Sequence, residues 1–215
     1  MTARELLADL PHRWLQGNAE VVCQAIAYDS RQITPGDVFV AIRGSRMDGH
    51  QFLDQAAANG AGLLIVEEEN NLPDFVGVAL VPNARLALAE LAARFYGYPA
   101  RELRLIGITG TNGKTSVAYL LRHLLLAADR SCGLIGTIEY DLGDRVLPAA
   151  RTTPEALELH QSFAAMRRAV CEFCVMEVSS HALAQQRVSG LEFAATAFTN
   201  LTQDHLDYHG DMDSY

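Results

Sequence analysis

A glycine-rich loop between an apolar run and a helical pattern is the feature that most constrains how this chain of 215 residues folds. The apolar run covers residues 103–108, and apolar side chains at helical spacing begin at Val117. The loop between them consists of Gly110, Thr111, Asn112, Gly113, Lys114, Thr115 and Ser116. Such a strand–loop–helix unit is typical of a parallel sheet with helical crossovers, and its glycines let backbone N–H groups approach a phosphate closely.

Lysine usage marks the same loop, because Lys114 is the only lysine among 17 basic residues. An ammonium group is a compact, mobile charge that suits the β- and γ-phosphates of a nucleotide, whereas the planar guanidinium of arginine suits them poorly. The hydroxyl of Thr115 stands where phosphate loops bind Mg²⁺. The spacing is the short form GxxGK[ST], since Ile108 stands where the longer GxxxxGK[ST] form has glycine. The alternative is a turn that only caps a helix.

Apolar patterning predicts an α/β fold with two domains, residues 1–100 and residues 101–215. In the first domain, strands are predicted at residues 38–42, 62–66 and 78–81, with helical patterns around residues 52–57 and 88–95. In the second, strands are predicted at residues 103–108, 173–178 and 193–199 and a hairpin at residues 134–139, forming a mostly parallel sheet. A helix is expected to begin with Thr153 as its cap and Pro154 in its first turn. Because doubly wound sheets usually have five or six strands, we expect an incomplete second domain with an unpaired edge and exposed apolar faces.

Composition excludes several classes of protein. With 17 basic and 26 acidic residues the net charge is −9, which disfavours nucleic-acid binding. No apolar run approaches the ~20 residues of a membrane span. Glu5 and Asp9 interrupt the N-terminal region, so we expect a cytoplasmic protein without a signal peptide. Cys171 and Cys174 have the CxxC spacing of zinc or redox sites, but no second pair accompanies them, so we expect them to be structural and reduced.

With the preceding Thr109, the loop resembles that of the Mur ligases and the folylpolyglutamate synthetases, ATP-dependent enzymes that join an amino acid to a carboxylate. Residues 29–31 (DSR), 35–41 (PGDVFVA) and 48–50 (DGH) resemble the UDP-sugar domain of the MurE and MurF types. Residues 152–155 (TTPE), 176–183 (MEVSSHAL) and 200–210 (NLTQDHLDYHG) are similar to the MurE type specifically. The resemblance covers essentially the whole chain. It implies a small UDP-MurNAc-binding domain in residues 1–100 and a truncated ATP-binding central domain in residues 101–215.

The resemblance also implies a set of site residues. Those expected at the uridine diphosphate are Tyr28, Ser30, Ser45, Arg46 and Met47. Those expected at the muramyl peptide and its pyrophosphate are Thr152, Thr153, Ser179, Gln185 and Arg187. The magnesium ligands implied are Thr115, Glu177 and His205, and the catalytic residues are Lys114, Glu177 and His205. Arg151 departs from the asparagine that related enzymes can carry before the threonine pair.

The residues themselves leave alternatives open. Glu177 ends a buried strand near the glycine-rich loop, where a carboxylate is costly unless a cation meets it, but it could also cap the next helix. Residues 204–211 look metal-friendly, yet Leu206 follows His205 where the zinc motif HExxH requires glutamate, so a solvated polar loop is the alternative. Arg187 could clamp a phosphate or carboxylate, although lone arginines usually face solvent.

The function implied is an ATP-dependent ligase that adds a third amino acid to UDP-MurNAc-L-Ala-D-Glu through an acyl phosphate, with Mg²⁺ as cofactor. The expected partners are this UDP-sugar peptide, ATP and the amino acid (meso-diaminopimelate or L-lysine), with no nucleic acid and no membrane. A small-molecule kinase or NTPase and a non-catalytic nucleotide- or UDP-sugar-binding fragment are the alternatives. We expect no ligation by this chain alone, since family members carry a carbamylated magnesium-binding lysine and an amino-acid-binding domain that these residues do not supply.

Overall fold

The computed structural model describes residues 1–44 and 47–215. These residues form two compact units, Met1–Phe95 and Tyr96–Tyr215. The helix before the division ends at Phe95, and Tyr98 then takes a left-handed conformation (φ 51°) ahead of the short 3-10 helix Pro99–Glu102. None of the helices in the described part of the chain is long and apolar enough to cross a membrane.

The first unit is built on a five-stranded sheet with the strand order β1-β5-β4-β3-β2. Its strands are β1 (Arg13–Gln16), β2 (Ile26–Ala27), β3 (Val38–Val40), β4 (Leu63–Val66) and β5 (Gly77–Leu80), and only β1 pairs antiparallel to its neighbour. Its helices are α1 (Ala3–Leu7), α2 (Leu53–Ala58) and α3 (Ala84–Phe95), with 3-10 helices at Ser30–Gln32 and Gly49–Phe52. β3 and β4 are buried along their whole length, which explains their continuous apolar sequences.

The second unit is built on a six-stranded sheet with the order β11-β6-β10-β7-β8-β9. Its strands are β6 (Arg104–Thr109), β7 (Cys132–Ile135), β8 (Glu139–Asp141), β9 (Val146–Pro148), β10 (Phe173–Glu177) and β11 (Phe193–Phe198). Its helices are α4 (Lys114–Ala127), α5 (Ala156–Arg168), α6 (Ser180–Ala184) and α7 (Leu206–His209). The mostly parallel sheet and the hairpin, in which Leu134 pairs with Asp141, are confirmed. The sheet nevertheless has more strands than the sequence pattern revealed, because β9 is short and exposed.

Helices cover both faces of this sheet. Successive residues of β6 point to opposite faces of the sheet, so Leu105 joins the core around Phe163 of α5, whereas Ile108, three residues on, joins the core around Ala118 of α4. Because β6, β7, β10 and β11 run parallel, their carboxyl ends meet at one edge, which is where ligands bind in open α/β sheets.

The predicted start of α5 is wrong. The helix begins at Ala156 with Glu155 as its N-cap residue, so Thr153 and Pro154 precede it. The Thr153 hydroxyl instead donates to the Glu177 carbonyl (2.8 Å) and accepts from the backbone N–H of Ser179 (3.0 Å). These backbone groups lie at the end of β10 and just beyond it, where they need hydrogen-bond partners. The Thr153 hydroxyl binds them instead of capping the helix, the role that the local sequence pattern predicts.

All four cysteines, Cys23, Cys132, Cys171 and Cys174, are buried and free. Burial raises the pKa of Cys132 to about 11 and that of Cys174 well above its usual range. Thiols held neutral in this way are poor nucleophiles and poor metal ligands. The CxxC pair is therefore part of the core of the second unit, as the sequence predicts.

Candidate active site

The glycine-rich loop joins the end of β6 to the start of α4. Gly110 (φ 124°) and Gly113 (φ 86°) both take conformations that other residues rarely adopt. A side chain on Gly110 would also collide with the backbone of Asn200, whereas a Cβ on Gly113 would meet nothing within 4 Å. Gly113 thus leaves open space at the N-terminus of α4, where Ser116 in the first turn is exposed. The first N–H groups of a helix have no intrahelical acceptors, so this opening suits an anion.

The segment after β11 braces this loop. Asn200 accepts hydrogen bonds from the backbone N–H groups of Thr111 (2.9 Å, through its carbonyl) and Asn112 (3.1 Å, through its side chain). The Thr199 hydroxyl donates to the Asn112 carbonyl (2.7 Å), and the Thr202 N–H donates to the Thr111 hydroxyl (2.9 Å). Bonds across about ninety residues of sequence (|i−j| = 88 for Asn112 and Asn200) hold the loop in one shape before any ligand binds.

The Lys114 ammonium lies over the loop that carries it. Its Nζ donates to the carbonyl oxygens of Gly110 (2.7 Å) and Thr111 (2.9 Å). Lysine carries three donors on a flexible stem, so these contacts leave a donor for an incoming phosphate.

Glu177 ends β10 beside the loop, and its residue exposure is 0%. Its Oε2 accepts from the hydroxyls of Thr115 (2.9 Å) and Thr137 (3.1 Å), and its Oε1 accepts from the Thr137 N–H (2.9 Å). A Cβ on Gly136 would lie 2.5 Å from Oε1, so the turn after β7 wraps the carboxylate closely. Thr115 and Glu177, predicted to share a site, are therefore in direct contact.

The surroundings of Glu177 fit a divalent cation. Among the residues that the structure describes, no basic side chain forms an ion pair with this carboxylate, and its hydrogen-bond donors are all neutral. An ionised carboxylate accepts about four hydrogen bonds, of which three are made here. Burying such a charge is costly unless a cation compensates it, and oxygen ligands are those that Mg²⁺ prefers. Glu177 and Thr115 could hold Mg²⁺ next to the phosphates of a nucleotide.

The residues predicted at the muramyl peptide gather behind Glu177. The hydroxyls of Thr152 and Thr137 lie 3.1 Å apart, and Thr153 is bonded to Ser179, which caps α6. Gln185 accepts from Arg187 (2.7 Å), whose side chain is only 9% exposed and also donates to the Thr153 carbonyl (2.7 Å). Arg187 is therefore buried rather than solvent-facing.

Arg151 is the exposed member of a charged group next to these residues. The Glu155 carboxylate lies 2.5 Å from Nη1 of Arg151 and 3.1 Å from Nη2 of Arg187. The Arg151 side chain is 53% exposed, and its backbone is fixed by the hydroxyl of Tyr140. One carboxylate is thus shared by an exposed and a largely buried guanidinium group next to Thr152.

His205 lies in a cluster of rings made by His181, His205, Tyr208, His209 and Tyr215. The ring centroids of His181 and His205 are 4.7 Å apart, and the Tyr215 hydroxyl reaches Thr111 of the loop (2.9 Å). Burial, followed by the nearby His205 and His209, lowers the pKa of His181. Within the described part of the chain, His205 makes no hydrogen bond or ion pair with Glu177 or Thr115, so its role as a magnesium ligand stays a prediction.

The first unit holds the residues predicted at the uridine diphosphate. Ser30 is buried and its hydroxyl donates to Gln55 (2.7 Å), Tyr28 is half-buried after β2, and Met47 is exposed. Ser45 and Arg46 lie outside the described residues. The assignment of these positions to a ligand stays a prediction.

A carboxylate cluster in the same unit, Asp48, His50 and Glu68, has the spacing of a metal site. The Arg43 guanidinium, however, lies 2.8 Å from Glu68 and 3.5 Å from Asp48. Nδ1 of His50 pairs with Asp48 (2.7 Å), and its Nε2 accepts from the Glu67 N–H (2.9 Å). Both carboxylates already pair with a guanidinium and both ring nitrogens are used, so the cluster serves the fold.

Sequence reasoning missed Thr137, which gives Glu177 two of its three hydrogen bonds. It also missed the bracing role of Thr199 and Thr202. A local signal existed for Thr137, since Gly136 and Thr137 come directly after a strand whose carboxyl end lies at the binding edge.

Helices on both faces of a parallel sheet, with a glycine-rich loop opening α4, define an α/β protein of the phosphate-loop class. Residues 108–215 match the Mur ligase middle domain, and residues 23–96 match a region described as the Mur ligase family, catalytic domain. The chain belongs to the Mur ligase family.

Its relatives narrow this further. It is 44% identical over 215 residues to the UDP-N-acetylmuramoyl-L-alanyl-D-glutamate–2,6-diaminopimelate ligase of Clostridium perfringens, covering 100% of this chain and 44% of that protein. A solved structure of a ligase with the same name has a TM-score of 0.79 at 26% identity over 100% of this chain and 43% of that one. A MurF ligase from Thermotoga maritima in complex with ADP has a TM-score of 0.58 at 25% identity, covering 91% of this chain and 42% of that one. The chain thus spans less than half the length of these relatives.

Proposed function

We propose that this chain provides the nucleotide- and UDP-sugar-binding part of an ATP-dependent ligase that adds diaminopimelate to UDP-MurNAc-L-Ala-D-Glu. The observation that carries the proposal is the buried Glu177 carboxylate, which lacks a basic partner among the described residues and is bonded to Thr115 of the phosphate loop. The names of the relatives supply the substrate and the amino acid. ATP and UDP-sugars are cytoplasmic metabolites, so we place the reaction there.

In this proposal the loop binds the nucleotide. Lys114 turns from its loop carbonyls to the β- and γ-phosphates, and the first N–H groups of α4 donate to phosphate oxygens. Thr115 and Glu177 hold Mg²⁺, which supplies neutralisation of phosphate charge. His205 is proposed as a further magnesium contact, on the resemblance alone.

The chemistry is two successive displacements. A substrate carboxylate oxygen bonds to the γ-phosphorus while the bond to the β–γ bridging oxygen breaks, giving an acyl phosphate and ADP. The amine of the amino acid then bonds to the acyl carbon, inorganic phosphate leaves and the nitrogen loses a proton. Both reactants of the first step are anions, so the main task of Lys114 and the residues at the muramyl peptide is to hold them together against repulsion. We propose Thr152, Thr153, Ser179, Gln185 and Arg187 for the peptide side, and Tyr28, Ser30, Ser45, Arg46 and Met47 for the uridine diphosphate.

The test is titration calorimetry of the chain with ADP plus Mg²⁺ and, separately, with UDP-MurNAc-L-Ala-D-Glu. We expect both ligands to bind. The variant Lys114→Ala should weaken nucleotide binding by roughly 30-fold or more, through loss of a charged hydrogen bond, and leave the UDP-sugar peptide unaffected. Arg130→Ala, which removes an exposed surface arginine elsewhere in the second unit, is the matched control. Nucleotide binding without any binding of the UDP-sugar peptide would instead favour a kinase or NTPase.

A further inference from the structure

The turn that follows β7 carries Thr137, a residue to which the resemblance to the Mur ligases assigns no role. Thr137 contacts both oxygens of the Glu177 carboxylate, one through its backbone N–H (2.9 Å) and one through its hydroxyl (3.1 Å). Glu177 itself belongs to β10, 40 residues further along the chain. Gly136 permits the contact, since a Cβ there would lie only 2.5 Å from Oε1.

Two donors on two different oxygens define the orientation of a carboxylate. With the hydroxyl of Thr115 alone, the Glu177 side chain could still rotate about its terminal bond, because one hydrogen bond does not fix a plane. The Thr137 N–H on Oε1 removes that freedom, and its hydroxyl shares Oε2 with Thr115. All three donors are neutral, so they orient the charge without compensating it.

Counting protons gives the hydrogen bonds a direction. An ionised carboxylate only accepts, so the single proton of the Thr137 hydroxyl points to Glu177. The Thr152 hydroxyl, 3.1 Å from the Thr137 oxygen, must then be the donor of that pair. The chain of donors therefore runs from Thr152 to Thr137 to Glu177, and the Thr152 oxygen is left to accept a hydrogen bond from a donor such as a peptide N–H.

We propose that Thr137 is a positioning residue: it fixes the Glu177 carboxylate for a divalent cation and orients the Thr152 hydroxyl as an acceptor toward the peptide substrate. This inference rests on the proposed function, because it concerns the same cation and the same substrate. It adds the residue through which the two sides of the site are connected.

The test measures the affinity of a fluorescent ADP analogue for the whole chain as a function of Mg²⁺ concentration. Thr137→Val keeps the branched shape and the backbone N–H but removes the hydroxyl. We expect the Mg²⁺ concentration at half-maximal effect to rise roughly tenfold, with nucleotide affinity in the absence of Mg²⁺ unchanged within about twofold. Thr137→Ser should restore the wild-type Mg²⁺ dependence.

Thr152→Val is the matched control, because it removes a neighbouring hydroxyl that does not touch Glu177. It should leave the Mg²⁺ dependence within about twofold of wild type. In calorimetry with UDP-MurNAc-L-Ala-D-Glu, Thr152→Val and Thr137→Val should both weaken binding, by roughly threefold to tenfold. Thr137→Ala replaces the valine variant if the latter fails to show a wild-type thermal unfolding transition.

The possible outcomes distinguish a failure of the proposed function from a failure of the inference about Thr137. If the wild-type chain binds nucleotide without any effect of Mg²⁺, the proposed function fails and the inference with it. If wild type responds to Mg²⁺ and Thr137→Val responds identically, the inference alone is overturned. Thr137→Val could also lose the same nucleotide affinity with and without Mg²⁺, and Thr137→Ser could fail to restore it. Thr137 would then have only a structural role, and the inference would again be overturned.

Discussion

Each of the two units has acidic side chains close together, but the charges are treated differently. In the first unit Asp48, Glu67 and Glu68 all lie within 4 Å of the Arg43 guanidinium. In the second unit Glu177 is fully buried among hydroxyl and N–H donors, with no ion pair among the described residues. Each carboxylate of the larger cluster therefore pairs with a guanidinium, whereas the single carboxylate has no basic partner among the described residues.

This difference shows that charge compensation is a better guide to a cation site than the number of acids. An exposed group of carboxylates with its own arginine has little to gain from a metal ion, which would have to compete with that arginine. A buried carboxylate whose donors are all neutral has lost its hydration without gaining an ion pair, so a bound cation would stabilise it strongly.

The first prediction concerns His160 of α5, another buried ionisable group of the second unit that has no ion-pair partner among the described residues. It is 4% exposed, its Nδ1 has no hydrogen-bond partner among the described residues, and burial lowers its pKa to about 4. In the unfolded chain the ordinary pKa is near 6.5, so between pH 6.5 and pH 4 the unfolded state binds more protons. The free energy of unfolding should therefore fall on acidification from pH 7 to pH 4, by about 3 kcal/mol more in wild type than in His160→Leu.

Urea unfolding followed by circular dichroism at several pH values measures this difference. Trp14, the single tryptophan, lies in β1 and its fluorescence reports on the first unit, where the variant should change nothing. If His160→Leu loses as much stability on acidification as wild type, the buried His160 does not cause the pH dependence and the prediction is wrong.

The second prediction sets Glu177→Gln against Glu68→Gln. The amide keeps the size of Glu177 but removes its charge, so the effect of Mg²⁺ on nucleotide affinity should fall roughly 30-fold. Without Mg²⁺ the variant should be at least as resistant to thermal unfolding as wild type, because an uncompensated buried charge is gone. Glu68→Gln should change neither quantity. Equal responses of the two variants to Mg²⁺ would remove the contrast between the units.

The sequence predicted the parts of this site that rest on local patterns. The loop at residues 110–116 and the strand ending at Glu177 could be recognised because glycines, the only lysine and an apolar run stand next to one another. Thr137 escaped notice because the local signal, its position directly after β7, does not show that β7 lies beside β10, and its contact with Glu177 depends on that placement. Thr153 was misassigned for a related reason, since its preference for a helix cap lost to the backbone groups after β10.

The same distinction holds for the fold. The continuous apolar strands β3, β4 and β10 were predicted from their unbroken apolar runs, and the long helices α3 and α4 from apolar residues at helical spacing. The short elements β1, β2, β9, α1, α6 and α7 were missed. Elements of two to five residues have too few side chains to show a period, and neighbouring elements determine their conformation.

The third prediction compares two glycines at which a side chain would meet other atoms. In the second unit, a Cβ at Gly136 would lie 2.5 Å from Oε1 of Glu177; in the first, one at Gly49 would lie 2.7 Å from the backbone N of Ile42. Substitution by alanine should destabilise each unit by roughly 1–3 kcal/mol. Only Gly136→Ala should also raise the Mg²⁺ concentration needed for nucleotide binding, because only there is the displaced group the proposed cation ligand. Thermal unfolding and Mg²⁺ titrations of both variants test this, and a shift of Mg²⁺ dependence in Gly49→Ala would contradict it.

The smallest expected effect concerns Arg151, which directly precedes Thr152 in the chain. Thr152 is in turn connected to Glu177 through Thr137. Glu155 pairs with both Arg151 and Arg187, and Arg151 is the more exposed of the two guanidinium groups, so it is the one that an anionic substrate can reach. Arg151→Ala should weaken binding of UDP-MurNAc-L-Ala-D-Glu roughly threefold at low salt, and the difference should shrink at ~0.5 M salt as screening increases. Its effect on stability should stay below about 0.5 kcal/mol, since the side chain is half exposed.

Arg145→Ala is the matched control, because Arg145 has similar exposure (51%) but pairs with the adjacent Asp144 between β8 and β9. If both substitutions weaken binding equally at low salt, the substrate senses only the overall charge of the unit. A change confined to Arg151 would mean that its exposed guanidinium contacts the UDP-sugar peptide, as Glu177 is proposed to hold the cation of the nucleotide.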